Sequence, residues 1–207
     1  AQASFRAVAT RGDRSAAFSS KSCSSREPVG LDALCVVNNL DGTFGIKFSF
    51  SQASHHVVTV FLANSQTIVG SNFTVSVSGA SVSAATSQVG APAAISSVAG
   101  EAIEFGIVPL DAYGNDPSPA AQTSDFALAA VLSTTSDFVS VSGTVASSAS
   151  GFVASVIPEV AGVYTISVHV AGDLIRESTL TATVGAAAAS STGSTVEGEG
   201  WLMGQID

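Results

Sequence analysis

The sequence predicts an all-β protein of sandwiches in series, on three observations. Apolar residues recur with period two, glycine-bearing turns separate them, and one part of the chain repeats another. Phe152, Ala154 and Val156 alternate with Val153 and Ser155, and Tyr164, Ile166, Val168 and Val170 alternate with Thr165, Ser167 and His169. Successive side chains leave a strand on opposite faces, so this alternation marks strands with one buried and one solvated side. Asp41-Gly42, Tyr113-Gly114-Asn115, Ser150-Gly151, Ala161-Gly162 and Ala171-Gly172-Asp173 punctuate the runs. Short strands between such turns predict a sandwich or a barrel.

The repeat fixes the organisation. Phe44-Gly45-Ile46-Lys47-Phe48 corresponds to Phe152-Val153-Ala154-Ser155-Val156 at an offset of 108, and Val58-Thr59-Val60 to Ile166-Ser167-Val168 at the same offset. The stretch from Ser71 to Val77 corresponds to Ser178 to Val184 at 107. Apolar and polar positions match throughout, which predicts two copies of one unit. The first copy, 1–79, opens inside a strand pattern at Ala1-Gln2-Ala3-Ser4-Phe5, so it is expected to lack its opening strand. Its serine-rich stretch from Arg14 to Asp32 is hard to align with the second copy. The second copy, 80–185, is expected to be complete. Residues 186–207 begin as an Ala/Ser/Gly linker into a further domain or contact, and Ala187 to Ser191 is read as linker rather than helix. The apolar Trp201-Leu202-Met203 is expected to be buried there against another domain or subunit.

Several of these segments resemble a known repeat. Ala99-Gly100-Glu101 through Phe105, followed by Asp111-Ala112-Tyr113-Gly114-Asn115, resembles the opening of a filamin-type repeat. The segment from Val160 to Val168 resembles its sixth strand, Asn39 to Phe44 its turn before the fifth, and Ile68 to Val75 its last strand. The resemblance covers residues of about 1–185 and implies tandem immunoglobulin-like (filamin-type) sandwiches. Tyr164, after Ala161-Gly162, stands in the place of a tyrosine corner. Asp111 is expected to bind turn amides, and Gly114-Asn115 to allow positive φ. The first copy departs from the pattern: His56 stands at the place of Tyr164, and Phe50 at that of Pro158.

The resemblance also implies a docking mode, in which an extended peptide adds beside the third strand. In the second copy that strand is expected at Phe126, Ala127, Leu128, Ala129, Ala130, Val131 and Leu132, with the fourth around Phe138, Val139 and Val141. Packing of this edge on a neighbouring repeat is the alternative.

Composition bounds the function. The chain of 207 residues is 46% hydrophobic, enough for a real core. Charged residues are only 11%, against roughly 25% in ordinary soluble proteins. The net charge is −9, with Lys21 and Lys47 as the only lysines, so no basic stripe exists for nucleic acid. No apolar run is long enough to span a membrane. Neither an initiator methionine nor a signal peptide opens the sequence, which is read as the middle of a longer protein.

No catalytic constellation is legible. His55, His56 and His169 do not stand at metal-ligand spacing, and adjacent histidines on a strand point to opposite faces. No phosphate loop, nucleophile elbow or dinucleotide fingerprint is present, so no catalytic residue, metal or cofactor is expected. Cys23 and Cys35 are expected to be bridged, closing a loop of about a dozen residues worth about 3 kcal/mol. Two free buried thiols are the alternative. Asn72-Phe73-Thr74 is a glycosylation sequon, with Phe73 expected to face inward and Asn72 outward. Arg11-Gly12-Asp13 spells an integrin-recognition tripeptide and is read as aligned with Tyr113-Gly114-Asn115.

The function expected is that of a non-enzymatic structural or spacer protein at the cell surface or outside the cell. It would be a fragment of a longer fibre protein, assembling with other chains or further repeats. The Ala/Ser/Gly bias adds a compositional hint of a GC-rich genome, and with it a ciliary or wall component. The rivals are an intracellular, cytoskeletal adaptor that binds peptides by strand addition, and an adhesion receptor ectodomain.

Overall fold

The computed structural model describes residues 5–11, 17–19, 21–24, 30–62, 65–91, 95–133 and 138–188. The first part carries β1 (Phe5–Arg11), β2 (Ala17–Ser19), β3 (Lys21–Cys23), β4 (Ala33–Asn38), β5 (Phe44–Ser49), β6 (Ser54–Leu62) and β7 (Phe73–Val77). The second carries β8 (Gln88–Gly90), β9 (Ile95–Val98), β10 (Ile103–Val108), β11 (Phe126–Ser133), β12 (Phe138–Ser142) and β13 (Thr144–Ser148). It continues with β14 (Gly151–Val156), β15 (Gly162–Val170), β16 (Asp173–Leu174) and β17 (Leu180–Gly185). A single turn of 3-10 helix, Thr123–Asp125, leads into β11.

The second part is an immunoglobulin-like sandwich by sheet order. One sheet runs β13-β14-β10-β8 and the other β12-β11-β15-β17-β9. That is the D-E-B-A sheet facing the C-F-G sheet of the constant-type fold. Its core closes between them: Ile103, Phe105 and Ile107 of β10 and Phe152, Ala154 and Val156 of β14 meet Leu128, Ala130, Ile166 and Val168. Those of β14 and β15 belong to the inward phase that the alternation predicts, and fully burying a Val, Leu, Ile or Phe side chain is worth about 1.5–3 kcal/mol.

The first part has a sheet β2-β1-β6-β7 and a sheet β3-β4-β5, around a smaller core of Ala7, Ala9, Leu34, Val36, Val58 and Val60. Ladder registers place its strands against the second sandwich. Phe5 lies opposite Leu62 and Ala7 opposite Val60, just as Phe126 lies opposite Val170 and Leu128 opposite Val168. Strand β1 is therefore the counterpart of β11, the third strand of the unit. The Phe5–Phe44 ring pair, with centroids 4.3 Å apart and planes at 49°, repeats Phe126–Phe152 at 4.9 Å and 48°. Hence the described first sandwich lacks counterparts of β10 and of β8 and β9, more than the one opening strand expected. Alternation alone says that Phe5–Arg11 is a strand; only its partner β6 says which one. The same register corrects the alignment of Arg11-Gly12-Asp13. Arg11 lies opposite His56, the place that Leu132 holds opposite Tyr164, while Gly12 and Asp13 lie outside the described residues.

Candidate functional site

Among the described residues no three His, Cys, Asp or Glu side chains gather where they could hold a metal ion. The features able to carry function are a joint between the sandwiches, their strand edges, a disulfide and the sequon.

The joint is built on the turn after β10. Asp111 is wholly buried. Its Oδ1 accepts hydrogen bonds from the amides of Tyr113 and Asn115, both at 2.8 Å, and its Oδ2 accepts one from Ala80 at 2.8 Å. Burial by itself would raise the Asp111 pKa, but the Asn115 side chain and the amides of Ala80, Asn115 and Tyr113 together hold it at about 2. Gly114 takes φ 83°, the left-handed conformation the turn requires. The expected turn-binding role of Asp111 is thus observed. The sequence did not reveal what the turn presents. The Asn115 amide reaches into the first sandwich: its Nδ2 donates to the Ser51 carbonyl at 2.8 Å, and its Oδ1 accepts from the Ala53 amide at 2.9 Å.

The receiving loop is held from its own side. Asp32 accepts from the Ser51 amide at 2.8 Å and from the Ser51 hydroxyl. These bonds, hydroxyl first, lower the Asp32 pKa. Arg11 donates to the Gln52 side chain. The connecting segment passes the same place. A Cβ on Gly79 would lie 1.9 Å from the Asp116 carbonyl oxygen, and the Ser118 amide donates to the Ala80 carbonyl at 2.9 Å. Only a residue without a side chain fits at position 79.

Tyr164 makes the corner bond that the resemblance implies, its hydroxyl donating to the Val160 carbonyl at 2.9 Å. His56 does the same work in the first sandwich. Its Nε2 lies 3.0 Å from the Gln52 carbonyl, which stands four residues back as Val160 does from Tyr164. A carbonyl only accepts, so Nε2 carries the proton, and Nδ1 is buried without a partner in the described structure. Phe50 stacks on the imidazole at 4.1 Å with planes 6° apart. As the alternation requires, His55 points the other way and is exposed. A second shared bond escaped the sequence reading: Ser71 and Ser178 each donate a buried hydroxyl to a carbonyl, of Val60 and Val168, both at 3.0 Å. The repeat offset links these serines; only the fold shows their partners.

The expected peptide edge is narrower than the sequence implied. Phe126 to Leu132 lie on β11, which is paired on both sides, with β15 along its length and with β12 from Ala129 to Ser133. Beside Leu128 the Gly143 amide donates to the Leu128 carbonyl. A Cβ on Gly143 would lie 2.1 Å from Leu128 Cδ2, so the chain crosses to the other sheet in contact with β11. Strand β11 is interior from Ala129 to Leu132. Among the described residues this sheet ends on that side in β12, with Phe138, Val139 and Val141, of which Val139 is 39% exposed.

Cys23 and Cys35 form a disulfide between parallel neighbours β3 and β4. Asn72 is exposed just ahead of β7, its Oδ1 accepting from Thr59 Oγ1 at 3.1 Å. Phe73, expected to face inward, stands at the first position of β7 opposite buried Val58 and is itself 39% exposed. Trp201 lies outside the described residues.

No protein-family model matches the chain, and no curated protein sequence matches it. Solved structures do. The chain is similar to the Lin-41 filamin domain at 24% identity and TM-score 0.42, over 52% of this chain and 97% of that one. It is similar to the Escherichia coli adhesin FdeC at 17% identity and TM-score 0.44, over 72% of this chain and 47% of that one. It is similar to InvD of Yersinia pseudotuberculosis at 15% identity and TM-score 0.44, over 95% of this chain and 51% of that one. These likenesses are to immunoglobulin-like sandwiches, the fold that the sheet order of the second sandwich shows independently.

Proposed function

We propose that this segment is a stiff spacer in a longer surface or extracellular fibre protein, assembling through protein–protein contacts and carrying no catalysis. The observation that carries this reading is the joint, where Asn115 hydrogen-bonds Ser51 and Ala53 across the two sandwiches. A joint held by part-buried, directional bonds sets the angle between repeats, which a spacer needs and a tethered pair of adaptors does not. The Cys23–Cys35 disulfide supports an oxidising location, since such bridges persist outside the cytosol. The exposed Asn72 is accessible for a glycan in that setting.

The adaptor reading finds support in one feature, the β12 edge of the second sandwich, which pairs with no further strand among the described residues. Surface biotinylation of intact cells, with alkylation of unreduced protein and mass analysis, tests the choice. Labelled protein with two unalkylated cysteines is expected. Unlabelled protein with both thiols alkylated would overturn the spacer reading in favour of a cytoplasmic adaptor.

A further inference from the structure

The second sandwich carries a cleft beside the turn that builds the joint. Its two sheets part along one side, where among the described residues one ends in β8 and the other in β9. The cleft there has a volume of about 1000 Å³, at the upper end of the range for small-molecule sites. Strand β8 lines one wall and Thr179 to Leu180 and Thr181 the other, while the Asp111 turn contributes Tyr113 and Gly114. Hydrogen bonds fix these walls. Thr86 Oγ1 donates to the Asp111 carbonyl at 2.6 Å, and Ser87 Oγ donates to the Ser83 carbonyl at 2.7 Å. The Arg176 amide donates to the Ala84 carbonyl at 3.1 Å, which ties the segment after β16 to the segment before β8. Walls held in this way lose little conformational entropy when a ligand enters.

We propose that this cleft binds a neutral oligosaccharide. Tyr113 is 56% exposed. The turn uses its amide, and its ring makes no hydrogen bond or ring contact among the described residues. Val89, Ile95 and Leu180 give the cleft an apolar base, partly buried against the core. Gln88, Thr179 and Thr181 stand around it, exposed and with side chains that bond to nothing among the described residues. A pyranose has C–H faces and a rim of hydroxyls. Its C–H face packs on the electron-rich face of an aromatic ring, and its hydroxyls exchange hydrogen bonds with amide and hydroxyl side chains. The charged residues lining the cleft are Arg176 and Glu177, which pair with each other at 3.4 Å. An ionic ligand therefore meets no uncompensated partner, which it would need on leaving water. An extended peptide meets in β8 an edge of only three residues, a short ladder for an added strand, whose affinity comes from main-chain hydrogen bonds.

The inference rests on the second sandwich alone and is independent of the spacer reading. NMR spectra of the isotopically labelled 207-residue chain test it. The probes are neutral glycans ending in glucose, galactose, mannose or N-acetylglucosamine, at millimolar concentration. A sialylated glycan, a sulfated glycan and a peptide of alternating valine and threonine serve as rivals. At least one neutral glycan is expected to shift the amide signals of Gln88, Tyr113, Thr179 and Thr181. Tyr113→Ala is expected to weaken that binding about tenfold, and Tyr113→Phe to keep it. Thr181→Val, which replaces one exposed hydroxyl by a methyl, is expected to weaken it as well. No shift with any neutral glycan would overturn the proposal. So would shifts outside the cleft, or shifts that survive both Tyr113→Ala and Thr181→Val. Binding of the charged glycans alone, or of the peptide alone, would overturn the ligand class.

Discussion

Replacing Asn115 by alanine removes both side-chain bonds that cross between the sandwiches. Each is of ordinary length, 2.8 and 2.9 Å, and worth about 1 kcal/mol net, or about 2 kcal/mol together. That corresponds to roughly a thirtyfold shift from the fixed joint toward open orientations. The Asn115 backbone amide still donates to Asp111, so the turn survives. The second sandwich loses only the side-chain contacts to Asp111, at 3.0 and 3.2 Å. Residual dipolar couplings measure the outcome. Both sandwiches of the parent chain should share one alignment tensor, and those of Asn115→Ala should report two, with markedly smaller magnitudes. A denaturant melt of the second sandwich should move little by comparison. Asn115→Asp should loosen the joint further, because a carboxylate would replace the Nδ2 donor that faces Ser51 and Asp111. One shared tensor in Asn115→Ala would refute the reasoning and leave the Gly79 crossing as what fixes the angle.

Four further outcomes follow from the same geometry. Gly79→Ala should unseat the linker, since its Cβ would meet the Asp116 carbonyl oxygen at 1.9 Å, and small-angle scattering should show a changed interlobe distance. Asp111, lowered from 3.8 to about 2, contributes stability that is whole above pH 4, where the unfolded chain is also ionised, and is lost as pH falls toward 2. An acid melt should therefore show that loss between about pH 4 and pH 2, and Asp111→Asn should flatten it. Tyr164→Ala should destabilise the second sandwich by roughly 2–4 kcal/mol through a buried cavity and the lost bond to Val160, read as a lower denaturation midpoint. Reduction of Cys23–Cys35 should lower the melt of the first sandwich by about 3 kcal/mol and leave the second unchanged.

Sequence reading reached the fold through local signals. The period of two marks which residues of β14 and β15 face the core, and the glycine turns mark where the strands end. Asp111 and Tyr164 were legible because turn and corner chemistry reside in a few adjacent residues. Cys23 and Cys35 were legible because a chain with two cysteines offers one pairing. The peptide edge was overdrawn for the opposite reason. A strand pattern fixes the inward face of β11 but is silent on whether both of its backbone edges are already paired.

What the sequence determined by itself was the architecture: the all-β class, the two related units and their inward faces. Those follow from side-chain alternation and turn propensity, which act between near neighbours. Tertiary structure alone decided that β1 is a third strand rather than a second, and that Asn115 reaches across to Ser51 and Ala53. Each of these depends on pairing between residues far apart in the chain. Backbone amides and carbonyls are the same in every strand, so the partner is chosen by the packing of the whole sandwich and not by any local run of residues.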